Sequence, residues 1–84
     1  MKITMKFTEK QGQYLAFIYN YIIMFRKPPA EADFMHFFQT TPSTVHQMIL
    51  KLDKKGLINR QPGVARSIKL MVDPEEIPQL KKPN

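Results

Sequence analysis

The stretch Thr40-Thr-Pro-Ser-Thr-Val-His-Gln-Met-Ile-Leu-Lys-Leu-Asp-Lys-Lys-Gly-Leu-Ile58, TTPSTVHQMILKLDKKGLI, is the most sharply punctuated segment of this 84-residue chain. Thr41 is a natural N-cap, and Pro42 takes the first helical position, where a missing N–H costs nothing. Val45, Met48, Ile49 and Leu52 follow at i, i+3, i+4 and i+7, an apolar stripe one helix face wide. Gly56 then stops the helix as a left-handed C-cap. What is unusual is the wet side of this helix. It carries Lys51, Lys54 and Lys55 against a single acid, Asp53. Helices that only pack usually mix both signs of charge there.

The excess of cations continues beyond the helix. From Ser43 to Leu70 the chain holds Lys51, Lys54, Lys55, Arg60, Arg66 and Lys69 against Asp53, a net +5 over 28 residues out of +6 for the whole chain. The acids gather elsewhere in the sequence, at Glu31 and Asp33 and at Asp73, Glu75 and Glu76. Such asymmetry suits a surface that faces a polyanion. A solvated basic face that keeps the protein in solution explains the charges alone equally well.

Size and composition narrow the classes. A chain of 84 residues forms one small domain. It has no cysteine, so disulfides and thiolate metal sites are excluded and the core rests on apolar packing. No apolar run approaches the ~18 residues that span a bilayer. The N-terminus MKITMKFTEKQGQ lacks the apolar centre and cleavage site of a signal peptide. The expectation is a soluble cytoplasmic protein. His36 and His46 have no second ligand at helical i+4 spacing, so no metal site is expected. His36 reads as partly buried or wet, and His46 as a neighbour of a base or phosphate. Ser43 and Ser67 are the only serines. With no thiol and no phosphate-cradling loop, no catalytic residue, cofactor or small-molecule substrate is expected.

Working outward from the marked helix, two more helices precede it. Residues 1–7 alternate polar and apolar, as in a short strand or extended arm. Thr8 with Gln11 three residues on forms a capping box. The first helix runs from there to about Arg26, where Pro28-Pro29 forbid continuation. Tyr14, Phe17, Ile18, Tyr21, Ile22 and Phe25 make its core stripe, yet Leu15, Tyr19, Ile23 and Met24 are apolar too. A helix apolar over most of its circumference is buried on more than one side. The second side is either a partner subunit or is covered by the arm and tail. A second helix spans about Glu31 to Phe38, with Phe34 and Phe38 inward. Phe37 is satellite packing or part of an interface.

After Gly56 the period changes to that of strands. Leu57 to Arg60, a turn on Pro62-Gly63, and SIKLMV over 67–72 predict a β-hairpin. Residues 73–84, with Pro74, Pro78 and Pro83, read as a loosely held tail to a domain over 1–72. The predicted architecture is mainly α: three helices, the second and third joined by a tight turn, then a hairpin. That is the winged helix-turn-helix plan.

In that plan the third helix enters the major groove. Thr41, Ser43, Thr44, His46 and Gln47 are its outward residues and the candidate base-reading set; Leu50 also points out. Gln47 suits an adenine edge, and Ser43 or Thr44 a base or a phosphate. Lys51, Lys54, Lys55, Arg60 and Arg66 are the candidate contacts to the DNA backbone. Taken singly, each polar residue is an ordinary helix-surface residue; their joint placement ahead of a basic wing carries the expectation. A rival from another class is a winged-helix module that binds protein through Phe37, Leu50 and the second side of the first helix.

The order FT…Q at the first helix, PP before the second, P…H…L…L…KKG through the third and G…R…I-K-L in the wing resembles the DNA-binding domain of LexA-type repressors. The likeness covers about Phe7 to Leu70, and TVHQMILKLDKKGLI is also similar to the MarR pattern. The resemblance implies sequence-specific repression of transcription on double-stranded DNA, at a two-fold operator. It assigns Thr41, Ser43, Thr44, His46 and Gln47 to the bases and Arg66 with its wing to the backbone. LexA-type helices carry acidic and Asn side chains where His46 and Gln47 stand, so a different operator is expected. Ala30 replaces the usual hydroxyl cap of the second helix. The family's peptidase domain, through which its members dimerise, does not follow in this sequence. A chain complete as it stands is then expected to form a homodimer through Leu15, Tyr19, Ile23, Met24 and Phe37.

Overall fold

The computed structural model describes residues 7–83. Its elements are α1 (Glu9–Phe25), α2 (Glu31–Phe38), α3 (Pro42–Lys54), β1 (Ile58–Asn59), β2 (Lys69–Leu70) and a 3-10 turn at Pro74–Glu76. This is a winged helix-turn-helix, as the punctuation of the sequence predicts. The expected arm lies outside the described residues, apart from Phe7, which packs against the core.

The helix ends follow from local chemistry. Thr8 Oγ1 accepts from the Gln11 N–H at 3.1 Å, and the Gln11 side chain accepts from the Thr8 N–H at 3.0 Å, so the capping box is complete. Arg26 closes α1 in the left-handed region at φ 59°, its N–H donating to the Ile22 carbonyl. At α2, Ala30 offers no side-chain cap. Instead Asp33 reaches back and accepts the Ala30 N–H at 2.7 Å, which satisfies an orphan donor from three residues ahead. Thr41 caps α3 by accepting from Thr44 N–H at 3.2 Å. The other end of α3 is a Schellman motif: Leu57 N–H donates to the Leu52 carbonyl and Gly56 N–H to that of Asp53, both at 3.0 Å. Gly56 takes φ 77°, which a Cβ would penalise, and the buried Leu52 and Leu57 supply the apolar contact of the motif.

The hairpin is shorter than predicted. Ile58 pairs with Leu70 and Asn59 with Lys69, and a further bond from Met71 N–H to the Leu57 carbonyl extends the pairing. Residues 60–68 form the wing loop instead of longer strands. Within it Gly63 at φ 78° completes a turn closed by Val64 N–H to the Gln61 carbonyl at 3.1 Å. Ser67 Oγ accepts from Gln61 N–H at 2.9 Å and lies 2.9 Å from the Val64 carbonyl. Side-chain bonds within the loop thus replace ladder bonds between strands.

An aromatic stack holds the helices together. Tyr14 lies parallel to Phe38 with centroids 4.4 Å apart and to Phe34 at 5.4 Å, while Phe17 meets Phe37 at 4.8 Å. Val45, Ile49 and Leu52 of α3 and Ile68 and Val72 beyond the wing complete the core.

Two expectations are corrected here. The segment after Asp73 is not loose. Gln13 donates to the Gln79 carbonyl at 3.0 Å and accepts from Lys81 N–H at 2.8 Å, and Ile77 and Leu80 pack on the core. The second correction concerns α1, whose apolar sides are not divided by face. From Tyr14 to Ile18, Leu15 and Ala16 included, it is buried on every side, while Ile23, Met24 and Phe25 are 58%, 70% and 52% exposed. The returning C-terminal segment and Phe7 pack around Gly12 and Gln13, and Leu80 reaches only the groove beside Tyr21, so burial falls off along the axis of the helix.

Candidate nucleic-acid interface

The helix-turn-helix joint sets the exposed edge of α3. The turn between α2 and α3 is made by Gln39 in the left-handed region at φ 50° and by Thr40 N–H donating to the Met35 carbonyl at 3.2 Å. With Val45, Ile49 and Leu52 turned into the core, Thr41, Ser43, Thr44, His46, Gln47, Leu50, Lys51 and Lys54 are exposed. Helical period alone dictates this arrangement once one stripe is buried.

Within that edge the side chains are not equally free. Thr41 and Thr44 hydroxyls lie 2.9 Å apart, and Thr41 also caps the helix, so Thr41 acts first as a structural residue. His46 Nδ1 stands 3.2 Å from Glu31 Oε2 of α2. Among the described residues, the side chains of Ser43, Gln47, Lys51 and Lys54 have no hydrogen-bond or ion-pair partner in the protein. They form the unengaged part of the edge: a hydroxyl and an amide, then two ammonium groups further along the helix.

Three of the expected backbone-contacting cations are occupied instead by the protein itself. Lys55 donates to Gln11 Oε1 at 3.0 Å, tying the end of α3 to the capping box of α1. Arg60 lies alongside α3 with its Nε 3.6 Å from Asp53, and its side chain is only 13% exposed. The lone acid of α3 thus answers a cation of the wing root. Arg66 turns back from the wing: its Nη1 is 3.1 Å from Tyr21 Oη, 3.1 Å from the Pro28 carbonyl and 3.2 Å from Asp33 Oδ2. The hydrogen bond to Tyr21, with the charge of Asp33 beside it, raises the guanidinium pKa further above its ordinary value.

The acids therefore do not stand apart from the basic surface as they do along the sequence. Glu31 and Asp33, in the first turn of α2, reach α3 and the wing. No periodicity in the sequence could have revealed these pairs, because Glu31 and His46 are 15 residues apart and meet only when α2 packs across α3.

The proposed interface on α1 is corrected in part. Leu15 is fully buried within the monomer and cannot contribute to one. Tyr19 is half-buried. Met24 and Phe37 line an apolar groove of about 420 Å³ with Phe17, Tyr21, Phe25 and Leu80. Ile23 is exposed but does not line it. Phe37 thus packs on Phe17 and Phe38 while presenting its outer edge to the groove. Among the described residues no cluster of His, Asp and Glu could hold a metal, and no helix is long and apolar enough to cross a membrane.

The family model described as the LexA DNA binding domain matches residues 4–67. The chain is 42% identical over 72 residues to the LexA repressor of Thermosipho melanesiensis, covering 86% of this chain and 36% of the relative. It is 39% identical over 70 residues to that of Thermosipho africanus, covering 83% and 35%. The LexA repressor of Petrotoga mobilis is 38% identical over 71 residues, covering 83% and 34%. The chain spans about a third of the length of these curated relatives. On the match over most of its length, the chain belongs to the LexA DNA-binding domain family.

Proposed function

We propose that this chain is the DNA-binding module of a transcriptional repressor, reading double-stranded DNA in the major groove through α3. The observation that carries this reading is the exposed, unengaged set Ser43, Gln47, Lys51 and Lys54 on one edge of the helix that the fold directs at DNA. Ser43 and Gln47 can exchange hydrogen bonds with base edges, and Lys51 and Lys54 can meet phosphates as the helix leaves the groove. With Lys55, Arg60 and Arg66 tied to the body, Lys51 and Lys54 are the cations of this helix left free to meet phosphates. His46 and Thr44 complete the base-facing set. The work is recognition without chemistry, carried out at the nucleoid in the cytoplasm.

Repression at a two-fold operator calls for two modules. The groove lined by Met24, Phe37 and their neighbours is the surface proposed to join two copies. Their half-sites are then expected about 34 Å apart, or a multiple of that, along one face of the duplex.

Selection of bound duplex from a random pool tests the proposal. A recurrent motif, bound at least tenfold more tightly than random duplex and with strongly salt-dependent affinity, is the expected result. No binding to any duplex at low salt would remove the DNA reading and favour a protein-docking domain.

A further inference from the structure

Glu31 is out of place on a surface meant for DNA. In a helix-turn-helix the first helix of the pair crosses the sugar-phosphate backbone, and its N-terminus ordinarily suits a phosphate. Here Asp33 already occupies the Ala30 N–H at 2.7 Å, and Glu31 adds a second carboxylate in the same turn. That carboxylate is not idle, since its Oε2 lies 3.2 Å from Nδ1 of His46 on the reading edge of α3. Both side chains remain about half exposed, at 45% and 51%, so the pair stands at the rim of the interface.

A carboxylate only accepts hydrogen bonds, so the proton of this contact belongs to Nδ1. In a neutral imidazole the other nitrogen, Nε2, is then a bare acceptor. An acceptor in the major groove is complementary to an exocyclic amine, N4 of cytosine or N6 of adenine, and opposes the carbonyl oxygens of guanine and thymine. We propose that Glu31 is a specificity-positioning residue that holds His46 with Nε2 as an acceptor, so that His46 selects a base bearing an exocyclic amine. The carboxylate also repels phosphate, so it weakens binding to all sequences while sharpening the choice at one base. This inference rests on the DNA-reading function proposed above.

The test uses the 84-residue chain at about pH 8, where free imidazole is neutral. His46→Ala locates the base position that depends on the ring, on duplexes taken from the selected pool. Wild type is expected to prefer cytosine or adenine there by roughly fivefold, the discrimination one hydrogen bond supplies. Glu31→Ala should bring that preference to within about twofold of parity and leave the other positions unchanged. Glu31→Gln should keep it, because the amide oxygen still accepts from Nδ1. Both Glu31 variants should bind random duplex more tightly than wild type, which a merely structural role for Glu31 would not produce. Wild-type preference for guanine or thymine at that position overturns the inference. So does full discrimination in Glu31→Ala, or equal loss in Glu31→Gln; in all three cases base reading itself still stands. A wild-type chain that discriminates no sequence anywhere overturns the DNA reading and this inference together.

Discussion

Nη1 of Arg66 stands 3.1 Å from the phenol oxygen of Tyr21, a contact between the wing and α1 across 45 residues of sequence. The same nitrogen reaches Pro28 and Asp33, so one guanidinium joins the wing, the α1–α2 connection and α2. Arg66 itself sits in the left-handed region at φ 56°, a conformation a non-glycine residue keeps only when its surroundings hold it. A guanidinium is charged throughout the physiological range in any surroundings, and the hydrogen bond to Tyr21 raises its pKa further still. Arg66→Ala is therefore expected to loosen the wing before it affects the helices. Hydrogen exchange should accelerate at the Val64 amide, which closes the wing turn, and change little in α1. Unchanged protection at Val64 would show that Ser67 alone orders the loop.

Gln47 and Lys54 occupy the same exposed edge but should fail in different ways. Gln47→Ala is expected to cost about 1–3 kcal/mol on the selected sequence and little on random duplex. Lys54→Ala should weaken both equally and lower the slope of log K against log salt by about one. Binding isotherms at several salt concentrations separate the two. A neutral Gln47→Ala would withdraw its base-reading role.

Tyr14 is fully buried between Phe34 and Phe38, and among the described residues its hydroxyl has no hydrogen-bond partner. Tyr14→Phe should therefore stabilise the fold by about 1 kcal/mol, since the desolvated hydroxyl is removed and the ring stack is kept. Burial raises the pKa of this phenol above 10.0. The neutral form is thus favoured in the folded state, and the associated stability is intact below that value and lost as the pH climbs through the folded pKa. Thermal melts above about pH 10 should fall more steeply for wild type than for Tyr14→Phe.

A Cβ at Gly12 would lie 3.0 Å from both Phe7 Cε1 and Pro78 Cγ. The close approach of these rings lets the C-terminal segment reach Gln13. At an exposed helical position Gly→Ala gains about 0.5–1 kcal/mol. At Gly12 the crowding should outweigh that gain and leave the variant roughly 1 kcal/mol less stable. Denaturant titration measures the sign, and a stabilised variant would mean that the segment shifts freely.

The pairing proposed through the groove is tested best at Met24, which is 70% exposed and lines the apolar wall. Met24→Glu should leave binding to a single half-site unchanged while abolishing cooperative occupancy of two. Sedimentation of wild type and variant gives the independent check: equal mass for both would exclude the groove as a dimer surface.

Much of this molecule was legible in one dimension because its signals are local. The capping box at Thr8 and Gln11, Pro42 at the start of α3 and Gly56 at its end each act within four residues of chain. The apolar stripe Val45, Met48, Ile49 and Leu52 determined by period alone that Ser43, Gln47, Lys51 and Lys54 face outward. Tertiary structure decided which of the polar residues stay free. Lys55 went to Gln11, Arg60 to Asp53, Arg66 to Tyr21 and Asp33, and His46 to Glu31. It also decided where along α1 burial stops, because periodicity gives the angle of a side chain around a helix axis but not what covers it at each height. Charge counted along a sequence ignores distance, and an ion pair depends on little else.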